Sequence, residues 1–205
     1  MDKIQMELFE QLTGLPEIPA GTYNIRSNSK KDSRNTTANI DIVTKEDKDG
    51  IDIYVKPGTK NESVHIPVVI SKTGLEECVY NDFYIGKDAD VLIVAGCGIH
   101  NSGDNLSRHD VVHTFYIAKN ARLKYVEKHY CKGEWNGENV MNPTTILIRE
   151  VVGYMEMETV QIKGIDSTNR VTKGKLDKDA KIVITERIMT HGNKKATTRF
   201  EVDMD

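Results

Sequence analysis

Aromatic residues are scarce in this 205-residue chain: Phe, Trp and Tyr make up 6%, with a single tryptophan. That is too few for a surface on which nucleic-acid bases stack. An excess of charge of one sign is also lacking. Lys plus Arg number 28 against 31 Asp plus Glu, a formal net charge of -3, so no strong field favours nucleic acid or an anionic membrane surface. No apolar run approaches the roughly 20 residues of a bilayer span. The longest, around Val91 to Ala95 and Thr145 to Ile148, are strand-sized. The first residues, Met1 to Glu7, place acids where a signal peptide has an apolar stretch. Three cysteines, Cys78, Cys97 and Cys131, are an odd number without disulfide-framework spacing, which fits a reducing compartment and leaves thiols free for ligation. A cytoplasmic location is therefore expected. The chain also lacks a Gly-rich phosphate loop, a strand-to-helix nucleophile elbow and a His-Glu-x-x-His metal motif.

What is present is a repeat. Four segments place a small residue between a polar lead-in and an alternating apolar run: Lys87 to Val91, Lys119 to Leu123, Val151 to Met155 and Lys178 to Ile182. The small residues Ala89, Ala121, Gly153 and Ala180 stand 32, 32 and 27 positions apart. A near-constant period with a strand-type run in each unit marks a stacked solenoid. No helix-sized 3.6-residue periodicity lies between the runs, so parallel strands without helical crossovers are expected to give an all-β fold, a right-handed parallel β-helix.

The chain before the repeat reads as a short helix followed by strands. Ile4, Leu8 and Leu12 share one helical face over residues 2–15, Gly14 and Pro16 stop it, and the helix is expected to pack on an end or side of the stack. Residues 1–20 thus form a helix and linker, and 21–205 the β-helix core. Within the core's first part, Ile40 to Val43 and Ile51 to Val55 form a hairpin, and Val64 to Ile70 a strand in which Pro67 argues for an edge or bend. Ser27 to Asn39 reads as a solvated polar loop.

Aligning the repeats on their small residues puts side chains into columns. One holds Ala95, Glu127, Thr159 and Glu186; the next Cys97, His129, Gln161 and Ile188; the third Ile99, Cys131, Lys163 and Thr190. Donors about one rung apart can converge on a metal ion, which makes Cys97, Cys131, Glu127 and His129 candidate ligands. The alternative is that each strand ends there and turns outward, since Gly96-Cys97-Gly98 and Lys132-Gly133 resemble turns. A second candidate metal cluster joins Cys97 with His100, His109 and His113, although its spacing matches no standard zinc motif. Glu156 and Glu158 share a strand face, where stacked carboxylates are ordinarily just solvated.

Asn81-Asp82-Phe83, Ala95 to Asn101, Glu127-Lys128-His129-Tyr130 and Thr190-His191-Gly192, set into this repeat, resemble the SufB/SufD family of iron-sulfur cluster assembly proteins. The resemblance runs from about Leu15 onward and lies in the joint pattern. It implies a β-helical scaffold, not an enzyme, that builds a transient iron-sulfur cluster. Its implied partners are a SufC-like ABC ATPase, a sulfur donor protein, and a second subunit in a homodimer or a SufB/SufD-like heterodimer. The family's C-terminal segment, with its cysteine and ATPase-docking helices, has no counterpart, so the chain reads as truncated. The internal sulfur-relay cysteine of larger relatives has no match in Thr145 to Arg149. Two other classes remain open: a β-helical carbohydrate-active enzyme and a non-catalytic interaction solenoid.

Overall fold

The computed structural model describes residues 1–133, 136–148, 153–178 and 180–204, the last without its side chain. Arg149, Val151, Val152, Asp179 and Asp205, which belong to segments read above, lie outside them. The described residues are 62% strand and 6% helix. Helix α1 (Lys3–Thr13) precedes β1 (Thr22–Ser27), β2 (Lys30–Asn35), β3 (Ile40–Thr44), β4 (Gly50–Val55), β5 (Lys60–Ile70), β6 (Glu76–Ile85) and β7 (Asp90–His100). Then follow β8 (Ser107–Ile117), β9 (Arg122–Lys132), β10 (Asn139–Ile148), β11 (Tyr154–Gln161), β12 (Ser167–Leu176), β13 (Lys181–Ile188) and β14 (Lys195–Met204).

These strands form two seven-stranded sheets, ordered β13-β11-β9-β7-β5-β1-β2 and β14-β12-β10-β8-β6-β4-β3. From β4 onward successive strands alternate between the sheets, so the chain winds as a β-solenoid of about five turns. All pairings are parallel except β1 with β2 and β3 with β4, the two hairpins that close one end. The 32, 32 and 27 spacing is the ladder register itself: Asp90 pairs with Arg122, Arg122 with Tyr154, and Tyr154 with Lys181. Like side chains therefore stack on like. Phe83 lies on Phe115 inside, ring centroids 4.5 Å apart, and Tyr54, Tyr84 and Tyr116 stack outside.

The interior is apolar along one side, from Ile53, Phe83 and Phe115 across to Val91, Ile93 and Leu123, all buried. A smaller apolar group holds Val68, Ile70, Cys97, Ile99, Cys131 and Met141. Helix α1 lies on the outer face of the first sheet through Leu8, Phe9 and Leu12, against Ile25, Val69 and Tyr130. Asp2 and Gln5 cap it reciprocally, and Gly14 ends it in a left-handed conformation at φ 73°. Ile4 is not on the packed face, being 40% exposed; Gln5 is, with its amide donating to Ser27 and Ser71.

Three further local expectations change. Part of the Ser27 to Asn39 segment is strand β2, joined to β1 by Asn28 and Ser29, both at positive φ, the geometry of a two-residue hairpin turn. Its polar composition conceals a strand whose partner supplies the hydrogen bonds. Pro67 is not at an edge: β5 lies between β1 and β7. Its missing N–H is accommodated because the β1–β5 ladder passes from Tyr23–His65 to Arg26–Val68, skipping Ile66 and Pro67. Gly96-Cys97-Gly98 is not a turn but the middle of β7. Gly96 is required by its backbone, since a Cβ there would lie 2.2 Å from the Lys128 carbonyl oxygen, and Gly98 leaves room for Leu8 and Leu12 of α1.

Candidate functional site

Between the two apolar groups, a seam of polar side chains crosses the solenoid interior. The repeat columns hold in the ladders: Ala95, Glu127, Thr159 and Glu186 align, as do Cys97, His129, Gln161 and Ile188, and Ile99 with Cys131. These positions face inward. Glu127, His129, Cys97, Cys131, Thr159 and Gln161 are all 2% exposed or less. The second sheet contributes Asn81, His113 and Arg170, also buried.

The seam is a directional chain of hydrogen bonds. Asn81 Nδ2 donates to His113 Nε2 at 3.1 Å, so the ring's proton is on Nδ1, which donates to Tyr125 Oη at 2.5 Å. Tyr125 Oη donates to Glu127 Oε1 at 2.9 Å. Arg170 gathers the other half: Nη2 donates to Glu127 Oε2 at 3.0 Å, Nη1 to His129 Nδ1 at 3.2 Å, and Nε to Glu186 Oε1 at 3.2 Å. His129 is thereby neutral, with Nε2 3.7 Å from Glu127 Oε1. Glu186 also accepts from Thr198 on β14.

Burial and charge set the protonation states. Burial would raise the Glu127 carboxyl, but His129, Arg170 and His113 outweigh it and hold it well below the usual range. Burial lowers both imidazoles, His113 to about 4, against the pull of Glu127. Burial, followed by the Glu127 charge, raises the Tyr125 phenol. Burial likewise raises the Cys97 and Cys131 thiols, so both are protonated near neutrality. Two carboxylates, Glu127 and Glu186, then meet one guanidinium. The residual negative charge favours a cation over an anion.

The other sequence candidates fall elsewhere. His109, inward on β8, bonds through Nδ1 to Glu77 Oε1 at 2.8 Å, and Glu77 pairs with Arg26 at 3.0 Å. His100 lies at the end of β7, partly exposed. Cys97 thus stands in register with His129, and the structure draws His113, but not His100 or His109, into the Glu127 cluster. Among the described residues, no three His, Cys, Asp or Glu side chains are arranged to hold a metal ion. Sequence reasoning missed Arg170 and the Glu77–Arg26 pair, and gave Asn81 only within the Asn81-Asp82-Phe83 motif, without a place in the site. The signal for Arg170 was the offset of 27 residues that relates β12 to β10, the same as that between Gly153 and Ala180.

The molecule is therefore a parallel β-solenoid with a charged, hydrogen-bonded seam and two buried thiols. Comparison with protein-family models, with curated proteins and with solved structures finds no match to it.

Proposed function

We propose that this chain is the β-helical core of a scaffold for iron-sulfur cluster assembly of the SufB/SufD type. The observation that carries the reading is the placement of Cys97 and Cys131 inside the solenoid, in adjoining columns with His129 and Glu127. Two thiols suit a transient holding place, because a resident cluster ordinarily takes four protein ligands. The cluster is cargo in this reading, and the surplus carboxylate charge of the seam supports holding cationic iron. A SufC-like ATPase, a sulfur donor protein and a second scaffold subunit would be its partners, and a cytoplasmic location would suit them. No described helix is long and apolar enough to cross a membrane. The carbohydrate-enzyme reading has less support, since Glu156 and Glu158 face outward and pair with Lys124 and Arg187.

The test is anaerobic reconstitution with ferrous iron and sulfide, followed by iron and sulfide quantitation and an absorbance spectrum. Stoichiometric cluster in the parent, lost in Cys97→Ser and Cys131→Ser, is the expected result. A parent without cluster, or variants that retain it fully, would remove the scaffold role from this interior.

One observation favours the interaction-solenoid reading as a second function. At the end opposite the hairpins, β13 and β14 are the outermost strands of their sheets among the described residues, and a depression of about 410 Å³ lies between Ile184, Glu186, Phe200 and Val202. Phe200 is 47% exposed. Such edges pair readily with further strands. Concentration-dependent self-association by light scattering, abolished by Phe200→Glu, would support it, and a monomer at all concentrations would not.

A further inference from the structure

At the hairpin end, β1–β2 and β3–β4 face each other across a depression of about 90 Å³. Arg34 ties the hairpins together. Its Nε donates to Asn24 Oδ1 at 2.8 Å, its Nη1 to the Ile42 carbonyl at 3.1 Å and its Nη2 to Thr44 Oγ1 at 3.0 Å. Five cationic side chains line the depression, Arg26, Lys31, Arg34, Lys45 and Lys48, against one carboxylate, Asp49, whose side chain is 68% exposed.

Counter-ions for this charge are incomplete. Lys45 is neutralised by Asp52 at 2.5 Å and Asp82 at 2.8 Å, and Arg26 Nε by Glu77 at 3.0 Å. Arg26 Nη2, however, is buried without a hydrogen bond, its charge contact being Asp49 at 3.4 Å. Arg34 donates to neutral acceptors alone and has no carboxylate within ion-pairing distance among the described residues. Desolvation depresses its pKa, outweighing the opposing charge of Asp41, which lies beyond ion-pairing distance. Lys48 pairs with Asp47 at 3.9 Å and lies over the Tyr80 ring at 4.9 Å from its centroid. Lys31 sits on the facing edge strand, exposed.

We propose that this depression is a binding site for a small oxyanion, inorganic phosphate or sulfate, held by Arg26, Arg34, Lys31 and Lys48. Guanidinium forks match the oxygens of a tetrahedral anion, and lysines add point charge. The space suits one such ion and is too small for a nucleotide or an oligosaccharide, whose pockets run to ~300–1,000 Å³. A bound anion would supply the buried Arg26 Nη2 with an acceptor and fasten the two hairpins. The site lies at the hairpin end, involves neither Cys97 nor Cys131, and stands or falls separately from the scaffold reading.

Titration calorimetry with inorganic phosphate, and then with sulfate in competition, tests it on the whole chain at ionic strength matched with potassium chloride. Saturable binding of one anion per chain is expected. The double variant Lys31→Gln/Lys48→Gln, altering exposed side chains, should keep the parent's circular dichroism and weaken binding about tenfold. Arg34→Lys, which loses the fork, should weaken it further than its loss of thermal stability in chloride alone explains. No saturable heat, or affinity unchanged in the double variant, would overturn the proposal.

Discussion

Replacing Arg170 with Met should be among the most damaging single changes available in this molecule. The guanidinium is 3% exposed and is the buried cation facing Glu127, itself 1% exposed, while also bonding His129 and Glu186. Removing it leaves a carboxylate buried without its counter-ion, a change that costs ~3–5 kcal/mol in buried pairs. The burden falls on Glu127, because Glu186 is 12% exposed at the side chain and retains Thr198. In urea unfolding, a loss of about 4 kcal/mol at a slope of about 2.5 kcal/mol per molar lowers the midpoint by roughly 1.5 M. The companion double variant Glu127→Gln/Arg170→Met removes both charges and leaves a neutral amide whose carbonyl oxygen can still accept from Tyr125. It should recover most of that loss, since apolar or neutral replacement of a complete buried pair is often near neutral. A single Arg170→Met variant within about 1 kcal/mol of the parent, or a double variant worse than the single, would refute the charged-seam description.

Acid should destabilise the protein through His113. Unfolded, its imidazole protonates near 6.5; folded, burial lowers this to about 4, so between those values the unfolded chain binds the additional proton. Stability should therefore fall as pH drops through that window, by about 2 kcal/mol at pH 5 relative to pH 8, and urea midpoints of His113→Asn should show a shallower pH dependence. Of the three thiols, exposed Cys78 should react rapidly with a disulfide reagent, while buried Cys97 and Cys131 react at the rate of unfolding. Two or three fast thiols would contradict their burial. Gly96→Ala should destabilise by at least about 2 kcal/mol, because its Cβ meets the Lys128 carbonyl and its φ of 156° disfavours a side chain. An unchanged urea midpoint would mean the β7–β9 ladder can yield there.

How much of this was legible depended on whether apolar residues mark the inward positions. Ala89, Ala121, Gly153 and Ala180 each precede a strand whose first inward residues are apolar, so the period, the register and the columns through Glu127 and His129 followed directly. Strand β12 alternates inward Thr168, Arg170 and Thr172, all buried and all polar, and so gives no hydrophobic period. Arg170 was invisible for that reason. Strand β2 is likewise almost wholly polar, because it lies at a sheet edge and pairs on one side only. The Gly96-Cys97-Gly98 reading failed because glycine signals a turn when the cause is local. Here the causes are a neighbouring rung's carbonyl and helix α1. Gln5 displaced Ile4 from the helix's buried face because Ser27 and Ser71 satisfy its amide there.

The central claim, that the solenoid interior holds iron-sulfur cargo at Cys97 and Cys131, is tested most directly by locating the iron. Crystals of the anaerobically reconstituted protein, measured at the iron absorption edge, should show anomalous density inside the stack, between β7 and β9, beside those two sulfurs. Density confined to the outer surface, at Cys78 or at the histidines outside the seam, would contradict it.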